Sequence, residues 1–394
     1  MQKRVVIAGG GTGGHLYPGI ALAKALMRQD MNIKVSFVGT QKGIESEVLP
    51  REGFELKTIL SAGLLGKKSI SRWMSWVKLP IGTAQSMCFL INKRPNLVVG
   101  VGGYASGPLV FSAWLLRIPI LIHEQNFFPG LTNKWLGKIA NKVAISFKDS
   151  AKFFPKDKVA LTGNMIREDF CQPKEELPVK PQEFFHILVL GGSQGAHSIN
   201  VAMVEALQFL TSKQGNIHIT HQTGKNDYEM VKTEYENSGL SYKVRPFIDN
   251  IAEQYHKASL VICRAGATTL AEVTACGKVS VLIPYPHAAH NHQEKNARVL
   301  DAANAGELML DKELSGERIA KSILRAIEDP KRMQEMENNS YQLGNRDATE
   351  KVRTICMELL KDANKKPGRT EKTEREPTEP KKTKFPGFSG SWNL

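Results

Sequence analysis

Arg4-Val5-Val6-Ile7-Ala8-Gly9-Gly10-Gly11-Thr12-Gly13-Gly14 opens the chain with an apolar run that stops at a cluster of glycines. The segment Pro18–Gln29 that follows has helical apolar spacing. A short apolar strand, a glycine turn and a helix make the first half-turn of a nucleotide-binding α/β unit. The same pattern returns 182 residues later, where Ile187–Leu190 leads into Gly191-Gly192-Ser193-Gln194-Gly195-Ala196. Other strand-like runs are Ile33–Val38, Leu97–Val101, Ile118–Ile122, His218–Gln222, Leu260–Cys263 and Val279–Ile283, with helix-like stretches such as Gly107–Leu116 between. Strands alternating with helices predict parallel sheets. The fold class is therefore α/β: two Rossmann-like, doubly wound domains facing a cleft.

The 394 residues suit two domains. The join is placed near Gly163-Asn164, ahead of a polar stretch bearing Pro173, Pro178 and Pro181. This divides the chain into 1–163 and 164–340. A closing helix, Tyr341–Lys361, is expected to return to the first domain. Residues 364–394 are rich in Lys, Glu, Pro and Thr, a composition expected to remain disordered. The Phe385–Trp392 segment within them is a candidate docking peptide, with an inert tail as the competing reading. Five cysteines, never spaced C-x-x-C, imply neither a disulfide framework nor a cysteine zinc site. No leader peptide is expected before the first strand, and no apolar run reaches the roughly 18 residues of a membrane span. The net charge of +14 asks for an anionic partner. Nucleic acid is the poorest choice, because no recognition fingerprint accompanies the charge.

Gly9, Gly11 and Gly14 satisfy G-x-G-x-x-G, yet a dinucleotide site also needs an acid at the end of the second strand. That strand ends Phe37-Val38-Gly39-Thr40, which argues against a dehydrogenase. A metal-dependent sugar transferase would want D-x-D, and none is present. No cofactor or metal is expected. A leaving diphosphate would then rely on helix N-termini, amides and hydroxyls. Arg264-Ala265-Gly266-Ala267-Thr268-Thr269-Leu270-Ala271-Glu272 offers these after a strand, with Glu272 able to accept two ribose hydroxyls. Read locally, Thr268 and Glu272 equally describe an ordinary helix start. Ser193, the backbone of Ile248 (a partner for a pyrimidine base) and His292-Gln293-Glu294-Lys295-Asn296 also follow strands, so they should gather at one sheet edge. His287, His290 and His292 lack an acidic or cysteine partner for zinc. His218 and His221 fall on opposite faces of a strand and receive no role.

These segments resemble the bacterial MurG glycosyltransferases over about residues 1–360. The likeness rests on Gly10–His15, Gly100–Pro108, His123–Asn126, Leu161–Arg167, Gly191–Ala196, Arg264–Glu272 and Asn291–Ala297. The resemblance implies a GT-B fold and inverting, metal-independent transfer of N-acetylglucosamine from UDP-N-acetylglucosamine to lipid I. The product would be lipid II, for peptidoglycan and hence cell-wall synthesis. It carries Thr12, Gly13, Gly14, Asn126, Arg167, Ser193, Ile248, Ala267, Thr268, Thr269, Leu270, Ala271, Glu272 and Gln293 over as donor contacts. Ala265 departs from a frequent serine, which removes one hydroxyl near the phosphates. The rival readings are another UDP-sugar enzyme of this fold, such as a UDP-N-acetylglucosamine 2-epimerase, and a non-catalytic nucleotide-sugar-binding scaffold at the membrane.

An inverting transfer needs a base for the acceptor hydroxyl. His15 is the first candidate and Glu124 the second, with Tyr104 and Asn296 as positioning groups. Segment 56–123 contains no Asp or Glu. There Lys67, Lys68, Arg72 and Lys78 interleave with Trp73, Trp76 and Leu79, as suits an anionic membrane surface. A basic helix with inward tryptophans is the competing reading. The expected setting is the cytoplasmic face of the bacterial membrane, held peripherally. The expected partners are the lipid-linked muramyl-pentapeptide acceptor and, by the resemblance, cell-wall synthesis or division proteins.

Overall fold

A computed structural model of the chain describes residues 2–41, 43–61, 69–171 and 184–365, with side chains for all of these but 69–78, 364 and 365. Lys67 and Lys68, the side chains of Arg72, Trp73, Trp76 and Lys78, the prolines at 173, 178 and 181, and the tail expected to be disordered all lie outside the described residues or side chains.

The first sheet has seven parallel strands: β1 (Lys3–Ala8), β2 (Ile33–Gly39), β3 (Glu55–Thr58), β4 (Leu97–Gly100), β5 (Ile120–Glu124), β6 (Lys142–Ile145) and β7 (Val159–Leu161). Their order is β3-β2-β1-β4-β5-β6-β7. The second has six: β8 (Phe185–Leu190), β9 (Ile217–Gln222), β10 (Ser241–Arg245), β11 (Leu260–Cys263), β12 (Val279–Leu282) and β13 (Glu307–Leu308), in the order β10-β9-β8-β11-β12-β13. Because every strand is paired in parallel, each crossover lays a helix on a face and both faces become core. β1 shows this directly. Val5 and Ile7 enter one core cluster while Val6 and Ala8 enter the other. β8 repeats it with Ile187 and Val189 against Leu188 and Leu190.

Thirteen α-helices lie among the described residues: α1 (Gly13–Gln29), α2 (Glu45–Arg51), α3 (Ser69–Lys93), α4 (Ser106–Leu115), α5 (Leu131–Ile139), α6 (His197–Leu210), α7 (Tyr228–Asn237), α8 (Ile251–Lys257), α9 (Ala267–Ala275), α10 (His292–Ala302), α11 (Gly316–Glu328), α12 (Pro330–Leu343) and α13 (Ala348–Lys365). The closing helix begins later than its apolar spacing suggested. Tyr341 still belongs to α12, and the Arg346 side chain donates to Tyr341 O (2.7 Å) and Ala275 O (3.0 Å), which ends α12 and turns the chain. From there Val352, Cys356 and Leu360 of α13 enter the core of the first sheet beside Leu16 and Ile20.

In each sheet the strand order reverses beside the first strand, so crevices open between the loops after β1 and β4 and between those after β8 and β11. The first crevice is tight. A Cβ on Gly103 (φ +80°) would meet Gly10 O at 2.4 Å, so only glycine lets the two loops touch.

The two crevices meet through a defect in α1. Pro18 sits inside that helix and has no N–H, so the carbonyl four residues earlier, Gly14 O, loses its helical donor. Thr268 Oγ1, at the start of α9 in the other half, donates to that carbonyl at 3.0 Å. Asn164 Nδ2 donates to Thr268 Oγ1 at 3.2 Å. A second bridge lies alongside, where Phe127 N donates to Asn296 Oδ1 at 3.0 Å.

Thr268→Val should therefore destabilise the chain by about 1 kcal/mol in denaturant melts, because the part-buried Gly14 carbonyl loses its donor. In a Pro18→Ala background, where residue 18 regains an N–H, the same substitution should cost less than half as much. Equal costs in both backgrounds would disprove the coupling.

Candidate active site

The first crevice is built around a carboxylate the sequence reading passed over. Glu45, at the start of α2, is fully buried and accepts from Gly11 N (2.7 Å), Thr40 N (2.8 Å) and Thr40 Oγ1 (2.9 Å). A Cβ on Gly10, Gly39 or Gly43 would collide with it. Three glycines around one acid is the signal that could have found it. Glu45 takes an amide of the glycine loop for the fold itself, so that amide does not face a ligand.

His15 lies in the first turn of α1, its ring against the backbone of Gly102. Its Nδ1 is buried without a bonded partner, facing Val101 O and the side chain of Gln125. Gln125 Nε2 donates to Val101 O at 2.6 Å, while Gln125 Oε1 is also unpartnered. Burial is the largest influence on the His15 imidazole and lowers its pKa, the nearby Val101 carbonyl and Gln125 side chain pull it back up, and His292 lowers it further. The ring is thus neutral at neutral pH, the form a base requires.

Glu124 sits differently. It is almost fully buried, and its oxygens accept from Asn126 N (3.0 Å), Asn126 Nδ2 (3.2 Å), Gly130 N (3.2 Å) and Asn133 Nδ2 (2.9 Å). Burial raises its pKa, with those donors opposing. A carboxylate spent on four donors holds the 126–130 turn and has no oxygen free for a substrate proton. Asn296, a candidate positioning group, is fully buried and bridges the halves through Phe127 N and Asn126 Oδ1 (3.5 Å). Tyr104 is 58% exposed, and its carbonyl accepts from Ser61 Oγ at 2.6 Å.

In the second crevice α9 starts at Ala267 with Gly266 as its N-cap and no side-chain cap, so the amides of Ala267, Thr268 and Thr269 stay available to an anion. Leu270 is buried beneath them and Ala271 half-buried. Glu272 lies close to the Arg167 guanidinium, and Tyr255 Oη donates to it at 3.4 Å. Burial pushes the Glu272 carboxyl up to about 7, with Arg167 and Tyr255 pulling the other way. Arg167 stacks 5.3 Å over the Tyr17 ring of α1, and its Nε has no partner. Arg167, Glu272 and the first turns of α1 are therefore neighbours, while Thr12 and Ser193 stand exposed at the lips of the two glycine loops. Gly13 and Gly14 lie between them in the first turn of α1.

Two expected donor contacts are already engaged. Ile248 N donates to Gln222 Oε1 (2.9 Å), and Gln222 Nε2 donates to Gly192 O (3.0 Å) in the second glycine loop. Tyr285 N donates to Gln293 Oε1 at 2.9 Å. The three histidines beyond β12 do not converge. His292 Nδ1 meets Ala289 O, His290 packs on Phe128 and His287 on Tyr285. Arg264 turns away from the crevice to pair with Asp311 (2.5 Å) and Ser198. His221 is buried between Tyr235 Oη and Asn200 Oδ1, a core histidine.

Comparison with known proteins fits this geometry. The model of the glycosyltransferase family 28 N-terminal domain matches residues 5–145, and that of its C-terminal domain matches 186–352. The chain is 47% identical over 351 residues (89% of the chain, 96% of the relative) to the UDP-N-acetylglucosamine--N-acetylmuramyl-(pentapeptide) pyrophosphoryl-undecaprenol N-acetylglucosamine transferase of Geobacter sulfurreducens. It is 45% identical to the enzyme of the same name from Myxococcus xanthus (91% and 94% covered). The crystal structure of Acinetobacter baumannii MurG superposes with a TM-score of 0.71 at 29% identity, covering 90% of this chain and 99% of that one. UDP-N-acetylglucosamine 2-epimerase from Neisseria meningitidis superposes at 0.63 but at 15% identity over 92% and 100% of the two chains, a likeness of fold alone. With two Rossmann-like halves, facing crevices and these relatives, the chain belongs to glycosyltransferase family 28, among the MurG transferases.

Proposed function

We propose that this protein transfers N-acetylglucosamine from UDP-N-acetylglucosamine to the muramyl sugar of lipid I, forming lipid II. The observation that carries the reading is the direct contact of two unlike crevices. A neutral histidine and an uncapped helix N-terminus face one cleft, whose two walls touch at Gly14 and Thr268. In a single displacement the acceptor hydroxyl oxygen bonds to the anomeric carbon as the bond to UDP breaks, which inverts that carbon. His15 takes the hydroxyl proton on Nε2, with Nδ1 turned toward Val101 O and Gln125. The charge growing on the leaving diphosphate falls on the amides of Ala267, Thr268 and Thr269, with the α9 N-terminus behind them. Arg167 and Ser193 lie at the same mouth. Glu272 accepts the ribose hydroxyls, and Asn126 and Gln293 line the sugar end. No step requires a metal.

The same reading brings the protein to the inner membrane face. Among the described residues no helix is long and apolar enough to cross a membrane. Yet α4 packs between α3 and α5, and this layer exposes Phe111, Trp114 and Leu115, Leu131 and Trp135, and Ile81. Lys138 sits 4.6 Å over the Trp135 ring. Aromatic side chains beside bases suit an interface with anionic lipid, where the lipid-linked acceptor resides.

UDP release measured in EDTA, with and without a short-chain lipid I analogue, tests the reaction. Acceptor-dependent release with disaccharide product is expected, and release that ignores the acceptor would favour an epimerase or hydrolase. Donor binding should also depend on pH. Ribose hydroxyls donate to an ionised Glu272, so binding lowers its pKa from about 7. UDP affinity should therefore weaken as pH falls from 8 to 6, and Glu272→Gln should flatten that dependence in calorimetry. A wild-type affinity independent of pH would refute this role. Replacing Trp114 and Trp135 together by Ala should reduce co-sedimentation with anionic phospholipid vesicles about tenfold while leaving UDP affinity unchanged. Undiminished sedimentation would place the membrane face elsewhere.

A further inference from the structure

Beside the Asn126–Asn296 bridge lies a group of cations that the transfer chemistry above does not use. Phe128 follows the 126–127 turn and packs edge-on against Phe153 with ring centroids 4.9 Å apart. Lys134 Nζ of α5 stands 3.9 Å over the Phe128 ring and 4.3 Å over Phe153. Lys152 Nζ lies 5.4 Å over Phe153 and 5.9 Å over Phe127. From the other half, Lys295 Nζ of α10 stands 4.5 Å over Phe128, and the His290 ring packs on that phenylalanine at 5.2 Å.

Three ammonium groups thus gather around the Phe128–Phe153 ring pair. The Lys134 and Lys295 ammoniums can be no farther apart than their two distances to Phe128 laid end to end, a span comparable with the ~8 Å Debye length at physiological salt. None of the ion pairs among the described residues includes Lys134, Lys152 or Lys295. Ring faces attract each cation, but the cations repel one another.

The C-terminal half brings its share at a cost in backbone conformation. His290 and Asn291, consecutive and neither of them glycine, take left-handed φ angles of +55° and +52° just before α10. Such residues persist where the surroundings demand them, and they gather at ligand sites. The turn sets His290 on Phe128 and starts the helix that carries Lys295.

We infer that Lys134, Lys152 and Lys295 form a binding site for anionic groups of the acceptor, assembled from both halves across the cleft. The inference rests on the transferase reading, because the acceptor named there carries negative charge in two places, its diphosphate and the carboxylates of its stem peptide. Either supplies the missing counter-charge. Phe128 and its neighbours pack beneath the lysine stems and hold the ammonium groups at the cleft edge. An anion seated there touches both halves, so it favours the closed cleft.

The test compares Lys134→Met with Lys295→Met, the double variant, and the double Lys→Arg control, in acceptor-saturation kinetics with donor in excess. The double Met variant should raise the acceptor KM about tenfold or more and flatten its salt dependence. The Arg pair should stay within about twofold of wild type, and UDP affinity by calorimetry should be unchanged in all of them. Repeating the kinetics with an acceptor whose peptide carboxylates are amidated separates the two sources. If wild type then loses its advantage over the Met pair, the peptide fills the site; if it keeps the advantage, the diphosphate does. An acceptor KM that the Met pair leaves unchanged, with wild-type turnover intact, overturns the inference and leaves the transferase reading standing. A parallel loss of UDP affinity in the Met pair also overturns it, because the substitutions then act on the fold. If wild type transfers nothing to lipid I, the transferase reading fails instead. Calorimetry with inorganic pyrophosphate then decides the site: binding that the Met pair abolishes supports it, and no binding to wild type overturns it.

Discussion

A helix that contains a proline cannot satisfy all of its own carbonyls, and in α1 the unmet one is Gly14 O. The first turn of α1 must also hold the glycine loop and His15, so it cannot shift to repair the loss. The donor comes from the opposite half, through Thr268. One backbone defect thereby fixes where α9 begins relative to α1. It brings the uncapped amides of α9 to the same cleft as His15. Glu45 plays the complementary part inside the first half, taking the Gly11 amide and leaving the loop shaped by glycines that have no room for a side chain. The geometry of the site thus follows from meeting backbone valences, before any ligand is considered.

Much of the fold was legible because its signals are local. β1 and β8 are apolar on both faces and end at glycines, which is how a strand buried between helices must read. Strands outside that rule went unread. Glu55–Thr58 of β3 is an edge strand of largely exposed residues, so it has no apolar run to see. Val159–Leu161 of β7 is three residues at the opposite edge, and Glu307–Leu308 of β13 is two. Short edges gain their order from a neighbouring strand, which composition does not record.

The site was legible to a different degree. Turn chemistry after β11 pointed to α9 and Glu272, because a glycine before a helix start is a local pattern. Glu45 was invisible for the opposite reason, since an acid in a polar loop reads as solvated and its burial comes from glycines 35 residues before it and close by in sequence. Glu124 was legible as a candidate but not in its bonding. Asn126, Gly130 and Asn133 all lie within nine residues of it, but only the turn after β5 and the start of α5 aim their four donors at one carboxylate. Whether a carboxylate is a base or a strut depends on what else has claimed its lone pairs.

Gln222 raises the same question of prior claims in the nucleotide crevice. Its side-chain amide spans Gly192 O and Ile248 N, so an incoming base that uses the Ile248 N–H displaces one carbonyl oxygen with another. Such an exchange yields little net affinity, because bonds made nearly equal bonds broken. It does yield discrimination. A pyrimidine offering an oxygen at that edge can substitute for the glutamine, whereas one offering an amino group meets a donor and leaves Gln222 in place. When a bound nucleotide leaves, the side chain can re-form both contacts, so the Ile248 N–H regains a partner. With the donor's base bound at Ile248 as proposed, a single glutamine would act as a resident competitor, trading tightness of binding for a choice of base and an easier release.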